Sequence, residues 1–232
     1  MFCHHCGAQN DEPARFCKNC GQPLTNEITS QPEAGLPAVW APPMDVSVTA
    51  GRWLSAGWDL VKADLGNYLL ISLLFFLLNG VPFIQGALIA GFHIFTMKKL
   101  TGRPADVGDL FKGFNYFVPT LVASLLIALF TFVGFLLLFI PGLIVAAMYK
   151  FTYLFIVDKR MGFWQAMQAS HAVVSRDYFG FVMFLILAFL LNVLGFCCFL
   201  VGLLVTVPVT FAAITVAYSE IVGFDKRTID SL

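Results

Sequence analysis

Residues 115–160 read NYFVPTLVASLLIALFTFVGFLLLFIPGLIVAAMYKFTYLFIVDKR. No charged residue stands between Tyr116 and Tyr149, and Lys150 is the single charged break before Asp158. A soluble core helix needs far less apolar chain. The hydrocarbon core of a bilayer is about 30 Å thick and takes roughly 20 helical residues to cross. The run has room for two crossings, with Ile140-Pro141-Gly142 as the place to turn. Proline has no amide hydrogen to donate, and glycine accepts the backbone angles of a tight reversal. The pattern predicts paired membrane helices, from about Tyr116 to Phe139 and from about Gly142 to Val157.

Composition agrees with an all-α polytopic membrane protein. Hydrophobic residues make up 59% of the chain and charged residues 12%, about half the charged share of a soluble domain. Fourteen basic and fourteen acidic side chains cancel, so bulk charge invites neither nucleic acid nor an anionic surface. The polar, cysteine-bearing start does not read as a secretory signal, and the N-terminus is expected to stay in the compartment where it is made.

Residues 1–23, MFCHHCGAQNDEPARFCKNCGQP, place Cys3, Cys6, Cys17 and Cys20 as CxxC, ten residues, CxxC, each pair followed by glycine. Two-residue spacing lets both thiolates of a pair reach one ion from a single knuckle. Four thiolates in a closed tetrahedral set describe structural Zn2+. Two disulfides are the alternative, disfavoured in a reducing cytosol. His4 and His5 lie inside the first knuckle and are read as spectators. The segment resembles the short zinc ribbons at the N-termini of many bacterial membrane proteins. Its charges cancel and its aromatics are only Phe2 and Phe16, a poor footprint for nucleic acid. A protein-contact or self-association module suits it better.

Residues 24–50, with Pro32, Pro37, Pro42 and Pro43, show no sustained period and read as a flexible linker. Residues 51–232 form the helical transmembrane domain. Within it a unit recurs three times: an amphipathic helix, an Asn/Asp-Tyr pair, a hydrophobic helical hairpin and a charged exit. The pairs are Asn67-Tyr68, Asn115-Tyr116 and Asp177-Tyr178. The amphipathic faces are Trp53, Leu54, Trp58, Val61 and Leu65; then Val107, Leu110, Phe111 and Phe114; then Phe163, Trp164, Met167, His171 and Val174. Spacing of three and four puts each set on one stripe, and such helices lie well in the headgroup plane. Tyrosine suits that depth, with an apolar ring and a hydroxyl that wants water.

Six membrane helices in three hairpins result, the first pair (about 65–79 and 82–97) being short. The hairpin tips NGVPFIQG, LFIPGL and GFCCFLVG carry no charge. Lysine and arginine gather at the opposite ends, which the positive-inside rule makes cytoplasmic. Both termini and the ribbon then face the cytoplasm of a bacterial inner membrane, and the far side holds little beyond turns.

Few polar residues interrupt the helices. Lys150 lies eight residues from Asp158, about 12 Å along the helix, and an intramembrane lysine is a candidate functional site. Its stem could instead snorkel to the interface, the plainer role and the one favoured for His93 as well. Cys197 and Cys198 are read as thiols at a hairpin tip. Pro208 is expected to kink the last helix, and Gly86, Ala90, Gly91, Gly142 and Ala146 offer small surfaces for close packing.

The run from Ile140-Pro141-Gly142 through Tyr149 and Asp158, then Gly162, Ala166 and Ser170, ending with Pro208 and Tyr218, resembles a broad bacterial group of uncharacterised integral membrane proteins. That group is similar to the membrane domain of glycerophosphodiester phosphodiesterases, and the likeness covers about residues 51–223. It implies a polytopic helical bundle. It brings no active site, because the phosphodiesterase chemistry of fused relatives belongs to a separate soluble domain. The expected role is a non-enzymatic membrane scaffold or regulator, partnered by the bilayer and by protein or its own copies through the ribbon, and compatible with a homo-oligomer. The alternative is a small-solute, proton or lipid transporter or channel with a site near Lys150.

Overall fold

A computed structural model of the chain describes residues 6–9, 17–20, 40–198 and 201–231. The chain divides into two compact units, residues 1–41 and 42–232. The second unit is all helical: α1 (Ala50–Ala63), α2 (Leu65–Leu78), α3 (Gln85–Leu100), α4 (Asp109–Lys112), α5 (Phe117–Leu137), α6 (Phe139–Met148), α7 (Thr152–Asp158), α8 (Phe163–Val174), α9 (Tyr178–Cys197), α10 (Leu203–Ile221) and α11 (Lys226–Ser231).

Four stretches among the described residues are long and apolar enough to cross a membrane: Asp109–Leu137, Ile140–Asp158, Tyr178–Cys197 and Leu203–Ile221. The pair α1 and α2, bent by 101° at Asp64, makes a fifth if it is one broken span. These helices mark a membrane protein, with four to five candidate spans among the described residues where the sequence pattern expects six. The difference lies in the first pair. α2 has 14 residues and α3 has 16, about 21 and 24 Å of helix, short of a hydrocarbon core about 30 Å thick.

α3 is the helix around which the others assemble. Nearly every residue from Gly86 to Lys98 is buried, against α4, the 3-10 turn at Gly113–Tyr116, α5, α7 and α10. It touches α2, its expected partner, only slightly. In lipid the hydrophobic effect does not drive helices together, so close contact must do so. α3 achieves this with glycine. A Cβ on Gly91 would overlap the Leu110 carbonyl oxygen, and one on Gly113 would overlap that of Ala87. Rings complete the core: Phe92 stacks on Phe211 at 4.4 Å, and Phe75 and Tyr68 meet Phe92 and Phe95 edge-on at 5.8 and 5.0 Å. Away from this core, Leu125, Leu129, Phe132 and Leu136 of α5 are exposed at helical spacing, an apolar stripe suited to lipid.

The reversal at 137–142 comes earlier than the proline predicts. Leu138 is the extended residue (φ −164°, ψ 154°), and Pro141 lies in the first turn of α6. The first amides of a helix have no intrahelical acceptor, so a missing N–H costs nothing there. Gly134 and Gly142 close the turn, with Cβ to Cα at 3.0 Å for an alanine at 134. α10 runs on through Pro208 without a break. Gly102 and Gly223, at φ +69° and +74°, end α3 and α10 with left-handed residues that glycine adopts without strain.

The three repeated units are unequal. α1 docks on α10, its Gly57 so close that a Cβ would lie 2.8 Å from the Val209 carbonyl oxygen. Trp53 is buried while Trp58 and Leu65, expected on the same face, are largely exposed. The second amphipathic segment shrinks to four residues of α4 before the 3-10 turn. In α8 the inward stripe is Ala166, Met167, Ser170, Val173 and Val174, with Trp164 outside. Small Ala166 and Ser170 permit an approach that a wider aromatic face would prevent. The tyrosines differ too: Tyr68 is fully buried, whereas Tyr178 is partly exposed and meets His171 at 3.0 Å.

Asp64 marks the bend between α1 and α2. Partial burial would raise its carboxyl, but hydrogen bonds from Lys99 and Asn67 outweigh this and hold it below the usual carboxylate range. The Asn67 amide donates to it at 2.9 Å and Lys99 forms an ion pair with it.

Candidate functional sites: a thiol cluster and a polar cavity

In the N-terminal unit, the sulfurs of Cys6, Cys17 and Cys20 all lie within 4.8 Å of one another. Cys6 Sγ and Cys17 Sγ are 3.6 Å apart. Four sulfurs at about 2.3 Å from a tetrahedral zinc would be separated by about 3.8 Å, so the cluster fits such an ion. The Asn19 amide N–H points at Cys17 Sγ across 3.4 Å, the amide-to-sulfur geometry that a CxxC knuckle is built to make. Gly7, at φ +72°, turns the first knuckle. Cys3, His4 and His5 lie outside the described residues. When bound, a metal here would be held by the Cys6, Cys17 and Cys20 thiolates and would supply structure rather than chemistry.

The second site lies in the membrane unit. The span Ile140–Asp158 is not one continuous helix: α6 ends at Met148, α7 starts at Thr152, and Tyr149-Lys150-Phe151 form the break. Broken backbone at membrane depth must find partners inside the protein. Ser170 of α8 supplies them. Its hydroxyl donates to the Met148 carbonyl at 2.6 Å and accepts the Phe151 N–H at 3.1 Å.

Beside the break is a cavity of about 350 Å³ lined by α3, α5, α6, α7, α9 and α10. Its polar lining includes Lys150, His93, Asn192, Thr210 and Tyr153. The two membrane residues singled out from sequence, 57 positions apart, therefore share one chamber. His93 Nδ1 lies 2.9 Å from Thr215 Oγ1, and that hydroxyl donates its own hydrogen to the Phe211 carbonyl at 2.8 Å. Nδ1 is then the donor, and Nε2 carries the lone pair. The Asn192 amide nitrogen donates to the Ala188 carbonyl at 2.7 Å and to Thr210 Oγ1 at 2.9 Å, leaving its buried Oδ1 without a partner. Tyr153 is engaged with Ser124 at 3.0 Å.

Ser170 and Asn192 were not singled out from sequence as site residues. Asn192 could have been, as the lone amide in the apolar run of α9. Ser170 could not, because a serine on an amphipathic helix gives no sign that it bonds another helix's backbone. Cys197 and Cys198 are exposed and unbridged.

Residues 2–24 match the zinc-ribbon domain family. No curated protein and no solved structure matches the chain. The chain thus carries a zinc-ribbon domain ahead of a helical membrane domain.

Proposed function

We propose that this protein is a non-enzymatic scaffold or regulator of a bacterial inner membrane, with its zinc ribbon as a cytoplasmic interaction module. Zn2+ would be held by Cys3, Cys6, Cys17 and Cys20. The observation that carries this reading is the thiol cluster: a 23-residue ribbon joined to an apolar bundle is a contact module held at a membrane. The charge placement around the spans supports cytoplasmic termini, and the partners are the bilayer and either another protein or a second copy. The test is cross-linking of the full chain in native membranes, wild type against Cys6→Ser/Cys17→Ser. The reading expects the double variant to insert normally and lose its cross-linked species. Identical species in both would overturn it.

A transporter remains the second reading, favoured by one observation. A span broken beside an intramembrane cation resembles the discontinuous helices that line transport sites. Flux of a labelled solute in proteoliposomes, lost in Lys150→Met, would select it.

A further inference from the structure

Among the described residues Lys150 has no counter-ion. The carboxylates that reach the bundle are already engaged: Asp64 with Lys99, Asp109 with Lys98 and Lys112, Asp158 with Lys159 and the Tyr218 hydroxyl, and Glu220 with Arg52 and the Trp53 indole. Lys150 joins none of these pairs, and among the described residues no acid lies within ion-pair distance of it. Charges inside membrane segments pair with one another or with backbone carbonyls, face the bundle interior or a water-filled cavity, and mark substrate or ion sites. Lys150 faces the cavity.

The cavity's size and lining narrow the partner. About 350 Å³ lies in the range of small-molecule sites, far beyond one water's share of about 30 Å³. Ile89, Ile127, Phe211 and Ile214 make most of its wall apolar. Its polar side chains are Lys150, His93, Asn192, Thr210, Tyr149 and Tyr153; beside the one cation, Asn192 Oδ1 lacks a hydrogen-bond partner and His93 Nε2 carries a lone pair. A ligand matching all of these carries an oxyanion for Lys150, a hydroxyl that donates to an acceptor, and an apolar body against the wall.

We infer that the chamber at the broken span binds a small amphiphilic oxyanion, a carboxylate or phosphate bearing a hydroxyl, with Lys150 as its counter-ion. The proposal goes beyond the scaffold reading and does not depend on the ribbon. The anion comes either from solution or from a lipid headgroup at the same depth. In both cases Lys150 neutralises it and Asn192 orients its hydroxyl.

The test uses the full chain in phosphatidylcholine nanodiscs, with calorimetric binding and thermal unfolding as readouts. Three probes are added: 3-hydroxyoctanoate, inorganic phosphate, and phosphatidic acid incorporated into the disc. The proposal expects a saturable rise in Tm with at least one of them. A response to the free acid or phosphate assigns the source to solution, and a response to phosphatidic acid alone assigns it to the headgroup. Lys150→Met should weaken binding about 10- to 100-fold, the range of one charge-assisted hydrogen bond, while Lys150→Arg should retain it. Ala146→Phe, which fills the cavity and leaves the charge in place, should abolish the response, and it carries the test if the methionine variant does not fold. No response from wild type to any probe, or undiminished binding by Ala146→Phe, overturns the proposal.

Discussion

The hydroxyl of Ser170 lies 2.6 Å from the carbonyl oxygen of Met148, so a side chain of α8 replaces a backbone bond that the broken span cannot make for itself. Ser170→Ala leaves that carbonyl and the Phe151 N–H without partners where water is scarce. Each such loss costs about 1–3 kcal/mol, so the variant should be destabilised by about 2–4 kcal/mol in detergent unfolding. Ser175→Ala removes only a local bond to the Ala172 carbonyl and should stay within about 0.5 kcal/mol of wild type.

The glycine contacts of α3 make a sharper forecast. At Gly91 the obstacle to a Cβ is the Leu110 backbone, which cannot rotate aside as a side chain can. Gly91→Ala should cost about 3 kcal/mol or more, at the top of the range for overpacking. Gly66, in α2 with nothing within 4 Å of a built Cβ, is the contrast. Gly66→Ala should be neutral or stabilising by up to about 1 kcal/mol through helix propensity. Thermal unfolding of the two variants side by side checks both.

Purified protein should hold one zinc per chain by elemental analysis. Serine at any of Cys3, Cys6, Cys17 or Cys20 should lower that ratio, and His4→Ala/His5→Ala should not. A strong chelator should remove the metal and leave the melting of the membrane unit unchanged, because no described residue of that unit belongs to the thiol cluster.

Acid should loosen the bend between α1 and α2. Because Asp64 titrates below its ordinary range, its carboxylate stabilises the fold above the unfolded value of about 3.9. That contribution is lost as pH falls through the lower folded value. Between about pH 5 and 3 the wild type should lose stability more steeply than Asp64→Asn. The difference is small, since the pair is partly exposed and screened. Unfolding titrations of the two proteins at several pH values measure it.

Much of this arrangement is legible in the residues themselves. The uncharged run from 116 to 149 announces the membrane, and the CxxC pairs announce the ribbon, because both signals are local and chemically stringent. Lys150 and His93 stand out as polar breaks in apolar helices. What sequence does not reveal is that they share a chamber, since helix packing alone brings α3 beside the break. The inward face of α8 also hides. Its aromatic stripe outweighs its small-residue stripe in any hydrophobic pattern, yet in lipid the small residues make the closer contact. The first helical pair misleads for a related reason. α3 is apolar all round because protein encloses it, and a periodicity argument cannot tell that burial from exposure to acyl chains.

The bond between His93 and Thr215 joins positions 122 residues apart, and this has a consequence for biogenesis. When α3 leaves the ribosome, the helix that closes over it is still untranslated. A nascent chain halted before α10 would hold α3 with its histidine and the Phe92 ring uncovered. The centre of the domain can therefore be sealed only near the end of synthesis, and quality-control proteases would meet a chain truncated before α10 as an open bundle.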